Sequence, residues 1–250
     1  MVLTKTITIP SLSDEERRAY VYLPTEYNPG DKKRYPVLYM FDGHNVFFDD
    51  HATYGKSWGM GDYLDRTDTP LIVAAVECSH TRTGRLEEYS PFSFHDKTFG
   101  DVKGRGKDTM EWLVNEFKPA IDENFKTKRG REHTFIAGSS MGGLMSLYAL
   151  SAYHRVFSRA AALSPSLWVN KKGILSLFSQ YKLRSDTVLY VDYGSKELVN
   201  HDGMKEALGE LTAKLIRQNI NITTRIVKGG DHSEASWEKQ IPVFLRCLGF

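Results

Sequence analysis

A serine hydroxyl becomes a useful nucleophile only when the backbone presents it and a neighbouring base can take its proton. The run Gly138-Ser139-Ser140-Met141-Gly142 has the spacing for the first requirement. Thr134 to Ala137 before it is rich in strand formers, and Leu144 to Ala152 after it reads as a helix. Strand, tight turn and helix in that order make a nucleophile elbow, with Ser140 on the turn in strained backbone geometry. Glycines two residues before and two after it keep Cβ atoms out of a space where strand and helix nearly touch. The chemistry this predicts is acyl transfer through Ser140.

Such a serine needs a histidine base that is itself oriented by a carboxylate, and where an elbow carries the nucleophile the acid and then the histidine follow later in the chain. Gly229-Gly230-Asp231-His232-Ser233 lies between the last strand candidate and the last helical pattern, so His232 is the expected base. Three acids follow or end the strand candidate Thr187 to Asp192. Asp192 falls at the strand end, where its side chain can point into the sheet packing, and Asp202 reads as the cap of the next helix. Glu197, in the loop after Gly194, is the expected orienting acid. The oxyanion of the tetrahedral intermediate needs preorganised N–H donors. Met141, next to the nucleophile, supplies one, and the backbone of His44 in Asp42-Gly43-His44-Asn45 supplies the second. Gly43 lets that backbone approach closely, and Asp42 braces the turn.

These groups need a frame. Thr6 to Ile9 and Arg18 to Leu23 alternate as a hairpin-like pair, while Tyr35 to Phe41 and Leu71 to Val76 are continuous apolar runs typical of strands covered on both faces. Trp58 to Asp65 has helical spacing. Ala160 to Leu163, Thr187 to Asp192 and Ile222 to Val227 are further strand candidates, separated and followed by helical patterns through Met204 to Leu215 and Trp237 to Leu248. Asp108 and Glu111 predict a capping box for a helix that Pro119 kinks or restarts. Strands alternating with amphipathic helices imply an α/β fold: a mostly parallel central sheet with helices on both faces, in one domain over residues 1–250. Cys78 to Arg105 is the least regular stretch, and a loop of that length in a compact domain is usually functional or disordered.

Composition excludes several alternatives. Of 250 residues, acidic and basic side chains nearly balance at a net charge of +2, which gives no reason to expect nucleic acid. Cys78 and Cys247 sit in or beside apolar segments and suit free thiols. Met1 to Pro10 reads as a strand rather than a signal peptide, and no apolar run reaches the length of a membrane span, so a cytoplasmic protein without a membrane partner is expected. His44, Asp49, Asp50 and His51 cluster in sequence but lack metal-ligand spacing, and no phosphate-cradling motif is present. No metal and no cofactor are expected.

The segments that carry these residues also resemble a known family. Leu38 to Phe47, Trp58, Arg85 to Pro91, Ala137 to Gly143, Ala162 to Trp168, Asp192 to Glu197 and His232-Ser233 together resemble the putative-esterase family of α/β-hydrolases, which includes esterase D-like, enterochelin-esterase-like and feruloyl-esterase domains. The resemblance implies the α/β-hydrolase fold and cofactor-free hydrolysis of a small-molecule ester through an acyl-serine. It places Ser140, His232 and Glu197 on the catalytic positions and the amides of His44 and Met141 on the oxyanion hole, although aspartate is common where Glu197 stands. Arg82, Arg85, Glu88 and Tyr89 match a stretch near the active-site mouth, where they either bind substrate or tie the loop down. Phe47, Phe48, Tyr54, Trp168 and Trp237 lean toward a flat or aromatic acyl group, so a small or aromatic acyl ester is expected. Siderophore lactones, S-formylglutathione, and acyl transfer to another alcohol use the same residues and stay open, as does a non-catalytic binding protein on the same fold.

Overall fold

The computed structural model describes residues 1–200 and 203–250; Asp202 lies outside the described residues. In chain order the elements are β1 (Val2–Ile9), β2 (Ser13–Tyr22), β3 (Val37–Met40), α1 (Met60–Arg66), β4 (Ile72–Val76), α2 (Gly84–Glu88), β5 (Phe94–Asp96) and β6 (Gly100–Val102). There follow α3 (Gly106–Trp112), α4 (Lys118–Asn124), β7 (Thr134–Ser139), α5 (Met141–Ala152), β8 (Arg159–Leu163) and α6 (Lys171–Gln180). The chain ends through β9 (Val188–Gly194), α7 (Glu197–Asn200), α8 (Met204–Ile216), β10 (Asn221–Val227), α9 (Glu234–Glu238) and α10 (Ile241–Leu248).

Among the described residues, eight strands form the main sheet in the order β1-β2-β4-β3-β7-β8-β9-β10. β1 and β2 pair antiparallel and β2 meets β4 antiparallel. From β4 through β3, β7, β8 and β9 to β10 every pairing is parallel. Parallel strands need crossovers, and the intervening helices cover both faces. Alternation along β3 shows the division. Val37, Tyr39 and Phe41 join α3, α5, α6 and α8 residues in one buried cluster. Leu38 and Met40 join α1 and α10 residues in the other.

Two local expectations change. The helix α3 begins at Gly106, two residues before Asp108, and Arg105 at its N-cap makes no side-chain cap. The N–H of the N-cap residue Arg105 already donates to Glu87 O, and that of Gly106 to Ser90 O, both at 2.7 Å, so no side chain need reach back to the cap; Asp108 instead pairs with Arg105 and Glu111 accepts from Asn115 and Tyr153. At Pro119 the helix changes its winding: a π-helical turn over Leu113–Phe117 leads into α4, which carries the proline in its first turn, with Phe117 and Lys118 between them still right-handed helical. The stretch from Cys78 to Arg105 is partly ordered, holding α2 and the β5–β6 hairpin.

Candidate active site

β7 ends at Ser139 and α5 starts at Met141, leaving one residue to reverse the chain. Ser140 takes φ 56°, ψ −120°, a conformation that costs a non-glycine residue about 1–3 kcal/mol. Close packing holds it there: a Cβ on Gly138 would come within 2.7 Å of the Gly142 carbonyl carbon, and one on Gly142 within 2.9 Å of Phe41 Cβ. The Ser140 N–H donates to Leu163 O at 2.9 Å, and its carbonyl accepts from Leu144 and Ser166.

The loop after β9 brings Glu197 to a buried position. Its Oε1 accepts from the Ser164 hydroxyl and from the Gly194 N–H, both at 2.7 Å. Its Oε2 lies 2.7 Å from Nδ1 of His232. Burial alone would raise the Glu197 carboxyl, but the hydrogen bonds from His232, Ser164 and Gly194 outweigh it and hold the pKa below the ordinary glutamate value. A carboxylate only accepts, so Nδ1 of His232 carries the proton and Nε2 is left as the acceptor of the ring. The imidazole also meets the Trp237 ring edge-on, with centroids 5.0 Å apart. Among the described residues, Ser140 Oγ has one side-chain neighbour within hydrogen-bonding distance, Ser166 Oγ at 3.4 Å. Ser140 and His232 line one cavity without a hydrogen bond between them, which is common for nucleophile and base before substrate binds.

That cavity holds about 340 Å³, and Asp42, His44, Tyr54, Arg85 and Trp237 line it too. A larger depression of about 930 Å³ lies over α1 and the start of α10, among Phe47, Phe48 and Asp62, and Ser140 and His232 are not part of it. Phe47 and Phe48 therefore belong to that depression and not to the cavity at Ser140.

The turn after β3 is fixed by charge. Asp42, buried and left-handed at φ 57°, takes a two-pronged ion pair from Arg85, with Nε at 2.7 Å and Nη2 at 2.8 Å. Burial opposes its charge, yet Arg85 keeps the carboxyl below the usual aspartate range. A Cβ on Gly43 would meet Val76 and Tyr20 within 3 Å, so only glycine lets the turn that carries His44 lie against the sheet. The N–H of His44 sits in a single 3-10 turn (Gly43–Asn45) and that of Met141 is the first of α5; neither position has an intrahelical acceptor. The His44 ring is engaged elsewhere, with Nε2 3.0 Å from Thr53 Oγ1, and burial lowers its pKa.

The residues expected at the mouth part company. Arg85 lines the cavity while bracing Asp42. Glu88 is 4% exposed; Arg17 grips its carboxylate at 2.9 and 3.1 Å and Ser79 N–H adds a third bond. Tyr89 is buried edge-on against Phe41, and its hydroxyl accepts from the Asp42 N–H. Glu88 and Tyr89 thus tie the loop down beneath the site, and an expectation that they touch substrate has no support in their surroundings. Trp168 is half exposed, packs edge-on against Phe94, and borders a small crevice that also reaches His232. Asp192 is buried with its carboxylate accepting from Tyr190, within the sheet packing as its strand-end position predicts. Ser164 has a place that sequence reading left unassigned: left-handed at φ 44°, it donates to Glu197 and accepts from Trp237 Nε1 at 3.0 Å. Its position at the end of β8, the strand beside the elbow strand, is the one signal that marks it.

With this geometry in view, the family model for putative esterases matches residues 10–246. The chain belongs to the putative esterase family. It is a carboxylic ester hydrolase on an α/β-hydrolase fold. The uncharacterized protein YbbA of Bacillus subtilis is 28% identical over 193 residues, covering 75% of this chain and 72% of that protein. Among solved structures, an IroE-like serine hydrolase from Shewanella oneidensis superposes with a TM-score of 0.79 at 19% identity, covering 98% of this chain and 79% of the other. The siderophore hydrolase EstA from Aspergillus nidulans does so with a TM-score of 0.75 at 20% identity, over 100% and 95%. These likenesses show the fold. No helix among the described residues is long and apolar enough to cross a membrane.

Proposed function

We propose that this chain is a single-domain serine esterase working through a Ser140–His232–Glu197 triad. The observation that carries the reading is the 2.7 Å pairing of His232 Nδ1 with a buried, ionised Glu197, in a cavity that also holds the strained Ser140. Nε2 of His232 takes the Ser140 proton as the Oγ–carbonyl carbon bond forms. The oxyanion is received by the N–H groups of Met141 and His44. The imidazolium returns the proton to the leaving alcohol as the ester bond breaks, and a water deprotonated by the same ring releases the acid. No residue in this scheme calls for a cofactor.

A cavity of about 340 Å³ is near the lower end of ligand pockets, which run from about 300 to 1,000 Å³. It favours a small or aromatic acyl group over a large macrocycle, which would have to extend across the rim. The test is turnover of p-nitrophenyl acetate. Ser140→Ala is expected to lose about 10⁴-fold or more in kcat with an unchanged circular dichroism spectrum; retained turnover in the folded variant overturns the triad.

A further inference from the structure

One group in the cavity is not used by this mechanism. Glu234, two residues after His232, is 7% exposed and lines the same cavity as Ser140. Among the described residues, no side chain and no other residue's backbone hydrogen-bonds its carboxylate, and no cation pairs with it. It is the first residue of α9, but that helix already has its cap, because Ser233 Oγ accepts from Ser236 N–H. Burial pushes the Glu234 carboxyl up and Asp42 adds to the rise, while His232 and Arg85 act against it.

An unpaired carboxylate here conflicts with the chemistry. Asp42 and Arg85 neutralise each other across their two bonds, so among the described residues of the lining Glu234, when ionised, is a carboxylate without a paired cation. Attack by Ser140 generates an oxyanion in the same space, and two like charges in a poorly solvated site raise the barrier. The substrate can remove the conflict by bringing a positive charge. Tyr54 and Trp237, which share the lining, offer aromatic rings of the kind that accompany a carboxylate in cation recognition. We propose that Glu234 is the specificity-determining residue of this cavity, and that the preferred ester carries a cationic nitrogen, on its acyl or its alcohol part, which the Glu234 carboxylate meets while Ser140 attacks the carbonyl. The proposal rests on Ser140 as nucleophile and narrows the substrate beyond that reading.

Two isosteric pairs test it: acetylthiocholine against 3,3-dimethylbutyl thioacetate, with the charge on the alcohol side, and p-nitrophenyl 4-(trimethylammonio)butyrate against p-nitrophenyl 5,5-dimethylhexanoate, with the charge on the acyl side. The wild-type enzyme is expected to prefer the cationic member of at least one pair by about tenfold in kcat/KM, the ratio that about 1.4 kcal/mol gives. Glu234→Gln is expected to erase that preference and to raise turnover of the neutral member a few-fold, as a merely structural carboxylate would not. No preference in either pair, or a preference that survives in Glu234→Gln, overturns the inference even though Ser140→Ala is inactive. Neutral esters turned over equally by Ser140→Ala would instead overturn the triad. If the wild type turns over none of the four, binding decides. Thermal stabilisation of Ser140→Ala by choline but not by 3,3-dimethylbutanol, lost in Ser140→Ala/Glu234→Gln, supports the inference, and its absence refutes it.

Discussion

The floor and the rim of the cavity are both reached by loops at the ends of the parallel strands, yet different forces hold them. On the floor, Ser140, Ser164 and Asp42 all occupy positive-φ backbone and each is locked by buried hydrogen bonds. The Trp237–Ser164–Glu197–His232 chain runs from the core to the imidazole without a break. On the rim, Tyr54 is 82% exposed, and Trp168, at the separate crevice that also reaches His232, stands half out of the surface with an edge-on contact to Phe94. Strain and buried polar networks persist only where surrounding structure over-determines them. The floor therefore fixes the reaction, while the rim, together with the buried Glu234 beside the triad, is free to set which ester is accepted. If that division is right, floor substitutions act on kcat and rim substitutions on KM.

The sharpest way to break the comparison uses two carboxylates at the end of β9. Glu197→Gln leaves the shape but forfeits the charge that orients and stabilises the imidazolium, and is expected to cut kcat by about 10³- to 10⁴-fold. Asp192→Asn is expected to keep activity within a few-fold. Equal losses in both would erase the distinction between an acid that faces the site and one that faces the sheet.

Ser164→Ala comes next. It removes one of the two donors to Glu197 Oε1 and strands the buried Trp237 indole N–H. About tenfold in kcat and about 1–3 kcal/mol of stability are expected to go. Because the Ser164 bond helps lower the Glu197 pKa, the acid limb of the kcat profile should also move to higher pH. A stability loss with an unmoved profile would reduce Ser164 to a packing role.

Asp192 gives a test by pH. Burial pushes its carboxyl up from 3.8 to about 6, so the fold favours the protonated form. That contribution is full below 3.8 and is lost as pH rises through about 6, about 3 kcal/mol in all at about 1.4 kcal/mol per unit. Asp192→Asn keeps an acceptor for Tyr190, so urea melts should show it more stable than wild type at pH 8 and level with it near pH 4. A gap that does not change with pH contradicts the assignment. Smallest of all, Trp168→Ala is expected to shift KM a few-fold and leave kcat nearly alone; a loss in kcat would put the rim residue in the floor's class.

The sequence made the floor legible because its chemistry depends on backbone punctuation. Gly138, Gly142 and Gly43 sit where chains nearly touch, and a strand followed by a short loop marks where Glu197 and His232 must emerge. The alternation of apolar strands and helical patterns announced the parallel sheet for the same reason of periodicity. Less could be read where partners are distant in sequence. Glu88 looks like a mouth residue until Arg17, 71 positions earlier, is seen holding it. Phe47 and Phe48 look like cavity aromatics until α1 and α10 draw them to another depression. Ser164 offers only its place after a strand, and Glu234 no pattern at all: a serine after a strand and a glutamate opening a helix are ordinary in sequence, and the buried company they keep distinguishes them.

The most direct test of the account is the site of covalent capture. Treatment of the folded protein with a small fluorophosphonate, followed by intact mass measurement and peptide mapping, should give one adduct, on Ser140, with none on Ser139 or Ser166 and none in Ser140→Ala. An adduct on either neighbouring serine, or a folded protein that takes no label while it hydrolyses p-nitrophenyl acetate, would contradict it.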